Sequence, residues 1–484
     1  MTKYFILLLL SFSVFAQNTQ KPLIEGKQGM VVSTHPAASE IGLAILKKGG
    51  NAIDAAVAVN FALAVCHPSA GNIGGGGFLV YRDKFGNVKA LDYREKAPSA
   101  ASRDMYLDAN GNIIPGKSMT GIFSVGVPGT VAGMQEMHDK LGHLPWAELV
   151  RPAVDLASKG LLLTEKEARG LNRQRSEFLK ENPGKTYLLS AEGKEWKQGD
   201  LLVQSDLAVT LERIMTKKAI GFYKGKTARF IVKEMKGQNG LISKKDLKNY
   251  QAVWRTPIKS KYKNYQIIGM PPPSSGGVAL AQLLQMVAPY SINKWGPSSD
   301  STIQVMVEAE RRVYADRAKW LGDPDFVKIP VNELIDAGYV KSRMASLDFN
   351  QATKSSAIQS GAFPGYESPE TTHYSIVDAE GNAVSITTTL NNSYGSKYIL
   401  RGLKQIAASS KEELIKTKEA IKSFIKGSTT IQKELKKTDA NQKRGSEKRL
   451  FDFIDSIDEN TNLEEAVKEF LNDTTFTIRT VLGQ

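Results

Sequence analysis

Thr371 and Thr372 open a strand-like run, Thr371-Thr372-His373-Tyr374-Ser375, directly after a loop that holds Gly361, Pro364, Gly365 and Pro369. A threonine hydroxyl is a poor nucleophile because it keeps its proton far above neutral pH. It becomes a competent one as the first residue of a chain, where its own freed α-amine serves as the base. A threonine at a strand start behind an exposed, cleavable loop is what that chemistry requires. Taken alone, the same pair also reads as an ordinary strand start.

Arg94, in the stretch 91–98, carries a planar guanidinium suited to a carboxylate through two parallel hydrogen bonds, and equally reads as paired with Asp92 or Glu95 on a hairpin surface. Thr387-Thr388-Thr389 is a β-branched strand former. Gly74 to Gly77 lacks the lysine and Ser/Thr of a phosphate loop and reads as a tight turn near a cleft. Ser274-Ser275 follows three prolines and lacks the Gly-x-Ser-x-Gly setting. The five histidines are dispersed without ligand spacing, so neither a metal site nor a cofactor is expected. His373 should share Thr371's face of the strand while Thr372 points to the other, and it reads as structural.

A chain of 484 residues with 41% hydrophobic and 24% charged residues is a globular protein with room for a deep core. Its net charge of +14 is spread over scattered lysines without aromatic interleaving, which argues against nucleic acid. Residues 1–16 combine Lys3, an apolar stretch with four consecutive leucines and the small-residue site Val14-Phe15-Ala16. They read as a secretory signal, so the mature chain is expected to begin near Gln17, to be periplasmic or secreted, and to lack a membrane span. Cys66, the only cysteine, cannot form an intrachain disulfide and reads as a small buried hydrophobe.

The elements that must position these residues are legible in outline. Residues 39–48 read as a short amphipathic helix with Ser39 as its N-cap and Gly49-Gly50-Asn51 as its stop. Residues 52–65 are almost wholly apolar and read as a buried helix. Segments 78–82 and 88–93 flank a Gly86-containing turn as a hairpin. Successive helices fill about 130–255, and a strand at 265–270 runs into Pro271-Pro272-Pro273. Ile303, Met306, Val307, Glu310 and Tyr314 share one face of a helix that ends before Gly322-Asp323-Pro324. Segments 374–377 and 383–390 form a hairpin around the Gly381 turn, its first strand carrying Thr371. Strands mixed with long helices make the class α/β or α+β. From Ile399 onward the chain turns into charged amphipathic segments at 411–426 and 462–472, a separate helical tail.

The TTHYSIVD run resembles the start of the small subunit of gamma-glutamyltransferases (glutathione hydrolases), members of the N-terminal nucleophile hydrolase superfamily. Stretches 35–54, 72–78, 91–98, 127–133, 270–277 and 314–327 resemble the family's large subunit in the same order. The resemblance runs from about Gln28 to about Ser396. It implies an αββα sandwich, with a large-subunit region at 17–370, the start of a small subunit at 371–398 and an unrelated tail at 399–484. It implies that the precursor cuts itself between Glu370 and Thr371. The freed Thr371 would then take a γ-glutamyl group from glutathione and pass it to water or to an amino-acid or peptide acceptor. By the same resemblance Arg94 grips the substrate α-carboxylate, Thr389 hydrogen-bonds to the nucleophile and Asn391 contacts the substrate α-amino group.

The resemblance does not continue into the family's later acidic residue, its glutamine, its Ser-Ser pair and the Gly-Gly pair of its oxyanion hole; where the last should fall stands Leu463-Glu464-Glu465. One lost oxyanion donor costs about 3 kcal/mol in the transition state. Impaired self-cleavage, little transferase activity and a sandwich incomplete on its C-terminal side are therefore expected. The residues leave open a related acylase of the same superfamily and a non-catalytic exported scaffold that uses its tail for a partner.

Overall fold

The computed structural model describes residues 25–182, 186, 188–190, 194–354, 357–358 and 371–399. Residues 1–16, read above as an export signal, Glu370 on the near side of the expected cut, and the tail from 400 onward lie outside the described residues. Ten strands occur among those described: β1 (Gly29–Val32), β2 (Gly76–Arg82), β3 (Val88–Asp92), β4 (Leu161–Leu162), β5 (Leu201–Leu202), β6 (Val253–Arg255), β7 (Ile258–Tyr262), β8 (Tyr265–Gly269), β9 (Thr371–Asp378) and β10 (Ala383–Thr389). Six form one antiparallel sheet in the order β1-β9-β10-β2-β3-β6, so the hairpin at 371–389 sits between segments hundreds of residues earlier. β7 and β8 form a separate two-stranded sheet.

Strand periodicity sorts the two faces of the large sheet. On one face Thr372, Tyr374 and Ile376 of β9 and Val384 and Ile386 of β10 are buried against helix Ala52–Cys66. All fifteen residues of that helix are buried, which is why it reads as apolar all round. Its start is fixed by a capping box in which Asn51 and Asp54 satisfy each other's backbone donors. Cys66 closes it, buried, and burial pushes its thiol pKa up to about 12. The other face of the sheet looks across a cavity toward β8 and helix Gly276–Val287, which packs on β7, β8 and the long helix Asp300–Trp320. The order of layers is therefore helix, sheet, sheet, helix, with two strands in the second sheet among the described residues.

Two readings of the sequence need correction. The first helix is Pro36–Lys47, capped by His35 rather than Ser39. The His35 Nδ1 accepts from the Ala37 N–H at 3.1 Å and Pro36 supplies a preset φ at N1, while the Ser39 hydroxyl bonds to Ser33. Gly76 and Gly77 are strand residues rather than part of a turn. The stripe Ile303, Met306, Val307 and Tyr314 does lie on one face of its helix, and that face is exposed. The buried face carries Val305, Ala309 and Val313 together with Glu308, Arg312 and Asp316. There Arg312 is paired with Glu308, and Arg343 with Asp316 at 3.1 Å.

Candidate active site

Thr371 begins β9 and pairs in register with Thr389, the last residue of β10. Cross-strand partners hold their Cβ atoms about 5 Å apart, so the two hydroxyls share one patch of the sheet. Thr371 is exposed and Thr389 buried. The strand is held from behind: the Tyr374 hydroxyl donates to the Ala56 carbonyl at 3.2 Å and to the Asn60 side chain at 3.3 Å. At the far end of the hairpin, Asp378 accepts from the Ala52 N–H at 2.9 Å, tying the turn to the start of the buried helix.

Thr371, Thr389, Arg94 and Asn391 line one cavity of about 750 Å³ between the two sheets. Asn391 follows β10 with φ of 70°, a left-handed conformation that asparagine tolerates better than most residues. Its N–H donates to the Thr389 hydroxyl at 2.8 Å, and its side-chain oxygen accepts from the Arg94 guanidinium at 2.7 Å. Arg94 lies over the Phe78 ring at 5.8 Å and 3.6 Å from Glu95. Burial raises the Glu95 pKa, against the opposing pull of Arg94. Asp92 accepts from the Arg94 backbone N–H, and its carboxylate is taken by Arg255 at 2.8 Å, leaving the Arg94 head group directed at the cavity.

Sequence reasoning missed the residue that joins these parts. Asn72 is buried, donates to the Thr388 hydroxyl and the Thr389 carbonyl, both at 3.0 Å, and accepts from the Gly75 N–H and the Thr130 hydroxyl. An asparagine opening a glycine run is the only local signal of it. The glycines follow from the same closeness: a Cβ on Gly75 would stand 2.3 Å from the Thr389 carbonyl oxygen, and one on Gly76 2.8 Å from the Arg94 Cα. His373 does share Thr371's face, and Thr372 points the other way, bonding to Thr34. The His373 ring bonds to Thr387 at 2.9 Å and to Ser385, its pKa is lowered by burial, and it does not line the cavity. A second cavity of about 260 Å³, lined by Phe222, Ile231, Met235 and Tyr398 among others, is mostly apolar and excludes Thr371.

An antiparallel sheet in a helix–sheet–sheet–helix stack is the architecture of the N-terminal nucleophile hydrolase fold. The family described as Gamma-glutamyltranspeptidase matches residues 38–403. The glutathione hydrolase proenzyme of Escherichia coli (strain K12) is 47% identical over 373 residues, covering 77% of this chain and 64% of that protein. The acylase ACY 1 proenzyme of Pseudomonas sp. (strain SE83) is 38% identical over 396 residues, covering 80% of this chain and 70% of that protein. The solved structure of Helicobacter pylori gamma-glutamyltranspeptidase is 45% identical with a TM-score of 0.69, covering 70% of this chain and 97% of that one. The chain belongs to the gamma-glutamyltranspeptidase family. It spans less than two thirds of the length of the Escherichia coli relative.

Proposed function

We propose that this chain is a gamma-glutamyl-transferring precursor that cuts itself before Thr371 and then works slowly. The observation that carries the reading is the single cavity onto which Thr371, Thr389, Arg94 and Asn391 converge, with Asn391 bridging the threonine pair to the guanidinium. In the first step the Thr371 hydroxyl attacks the carbonyl of residue 370, the acyl group shifts from nitrogen to oxygen, and water opens the ester. In turnover Thr371 Oγ attacks the γ-carbonyl of glutathione or a related amide. The C–N bond to the leaving amine breaks, and the Thr371 α-amine relays the hydroxyl proton to the leaving nitrogen. Water or an acceptor amine then attacks the ester and restores the hydroxyl. Arg94 would hold the α-carboxylate of the glutamyl head and Asn391 its α-amino group, so the reacting carbonyl arrives over Thr371.

The family's Gly-Gly oxyanion donors do not figure among the residues that resemble it, and each lost donor lowers turnover by about 10² to 10³. Purified full-length chain, incubated over hours, is expected to release a fragment whose first residue is Thr371, with slow release of a chromogenic amine from a γ-glutamyl anilide. Thr371→Ala should abolish both. Equal turnover of other acyl anilides would favour an acylase, as the similarity to acylase ACY 1 suggests. Turnover unaffected by Thr371→Ala would refute the proposal. We also read residues 1–16 as an export signal that places the protein in the periplasm or outside the cell. N-terminal sequencing of exported material should start near Gln17.

A further inference from the structure

Asn72 is wholly committed to the end of β10 and the loop beside it. Its amide nitrogen lies 3.0 Å from three acceptors, the Ala70 carbonyl, the Thr388 hydroxyl and the Thr389 carbonyl. Its amide oxygen accepts from the Gly75 N–H at 2.9 Å and from the Thr130 hydroxyl at 2.6 Å. A side-chain amide brings two hydrogens and two lone pairs, so the hydrogen-bonding capacity of Asn72 is used in full. An ionised aspartate could not donate to the two carbonyls, and glutamine is one carbon longer. Room is short, since a Cβ on Gly75 would already stand 2.8 Å from the Asn72 oxygen. The frame to which Asn72 ties the strand is itself fixed. The Gly75 carbonyl accepts from the Gly129 and Thr130 N–H groups at 2.8 and 3.1 Å, where helix Thr130–Leu141 starts. The Thr388 hydroxyl donates in turn to the Gly76 carbonyl at 3.1 Å.

What Asn72 holds is the backbone from which the candidate reacting groups project. Thr389 ends β10 opposite Thr371, and its hydroxyl accepts from the Asn391 N–H. Asn72 itself is buried and does not line the cavity of Thr371. We infer that Asn72 is a positioning residue: by fixing the Thr389 carbonyl it sets where the Thr389 hydroxyl stands relative to Thr371. The inference rests on the γ-glutamyl reading above and adds a part to its chemical step. Arg94 and Asn391, which that reading gives to the substrate head group, are joined by a bond of their own at 2.7 Å. Loss of Asn72 therefore falls on the reaction more than on substrate binding.

The test uses full-length chain and the variants Asn72→Ala, Asn72→Asp, Thr389→Ala and the double variant Asn72→Ala with Thr389→Ala, each turning over a γ-glutamyl anilide. Misplacing a reacting group by about 1 Å costs up to about 10²-fold, so Asn72→Ala should lower kcat by about 10- to 100-fold while KM changes by less than about threefold. Asn72→Asp, nearly equal in size, should lose about as much, because it keeps an acceptor and lacks the donors. In the Thr389→Ala background the further loss from Asn72→Ala should shrink to near unity, since the hydroxyl being positioned is gone. An Asn72 that only supports the fold would lower the urea midpoint and leave kcat of the folded protein unchanged, or would cost the same with and without the Thr389 hydroxyl. Either result overturns the assignment, as does failure of both Asn72 variants to fold, which would make the residue a requirement of the fold. Failure of the γ-glutamyl reading itself looks different: the unmodified chain would not turn over the anilide, and the assignment would fall with it.

Discussion

In the six-stranded layer, helix Ala52–Cys66 is buried along its whole length between sheet and neighbouring helices, and Phe61 meets the Trp146 ring edge-on at 5.7 Å. The layer built on β7 and β8 is the reverse. Its longest helix, Asp300–Trp320, buries Glu308, Arg312 and Asp316 and exposes Ile303, Met306, Val307 and Tyr314. The first layer is held by apolar burial around a sheet whose strands come from both ends of the described chain. The second, among the described residues, is held by a smaller apolar cluster and paired charges around two strands. A two-stranded sheet leaves backbone groups unpaired on both outer edges and is marginal without further strands or helices. The site lies between the layers, so Thr371, Thr389 and Arg94 stand on the well-built wall while Arg317 and Ser275 stand on the sparser one.

The contrast can be broken by mutation. Phe61→Ala should cost about 4 kcal/mol, the usual penalty for emptying an aromatic site in a core, read as a drop in the urea midpoint. Glu308→Ala should cost about 3 kcal/mol, because it strands the buried Arg312 guanidinium. A Glu308→Ala loss below about 1 kcal/mol would show that charge pairing does not hold the second layer. Between these and the smallest effect lies a pH dependence in the first layer. Burial pushes the Glu167 pKa up, but hydrogen bonds from His35 and Thr164 outweigh it and bring it to about 2. A carboxyl depressed on folding stabilises the fold above its unfolded value, and that contribution is lost as pH falls from about 4.5 toward 2. Glu167→Gln should flatten this acid limb in melts recorded across the range. Met306→Ser and Val307→Ser, on the exposed face, should each change stability by less than about 0.5 kcal/mol. A penalty of core size there would mean that the face is covered in solution.

The sequence made the first layer legible and the second only partly so. A continuous alanine-rich apolar run announces a helix buried on every side, and the two-residue period of the strand from Thr371 places Thr371 and His373 on one face and Thr372 on the other because strand geometry is local. What could not be read depends on partners distant in the chain. The Asp92 carboxylate pairs with the guanidinium of Arg255, 163 positions away, and with only the backbone N–H of the nearby Arg94. Asn72 reaches Thr388 and Thr389 over more than 300 positions. The apolar stripe of the long helix has the spacing of a core face, yet the buried side is the other one, where Val305, Ala309 and Val313 pack beside the Glu308–Arg312 and Asp316–Arg343 pairs. The helix starts at Pro36, ahead of the serine that carries the usual capping signal, because a histidine ring caps it.

The most direct test of the Thr371 assignment is to quench full-length chain during turnover of a γ-glutamyl anilide and locate the acyl group by peptide mass spectrometry. A γ-glutamyl adduct on a peptide whose first residue is Thr371 is the expected result. An uncut chain that still consumes the anilide, or an adduct on any other side chain, would contradict it.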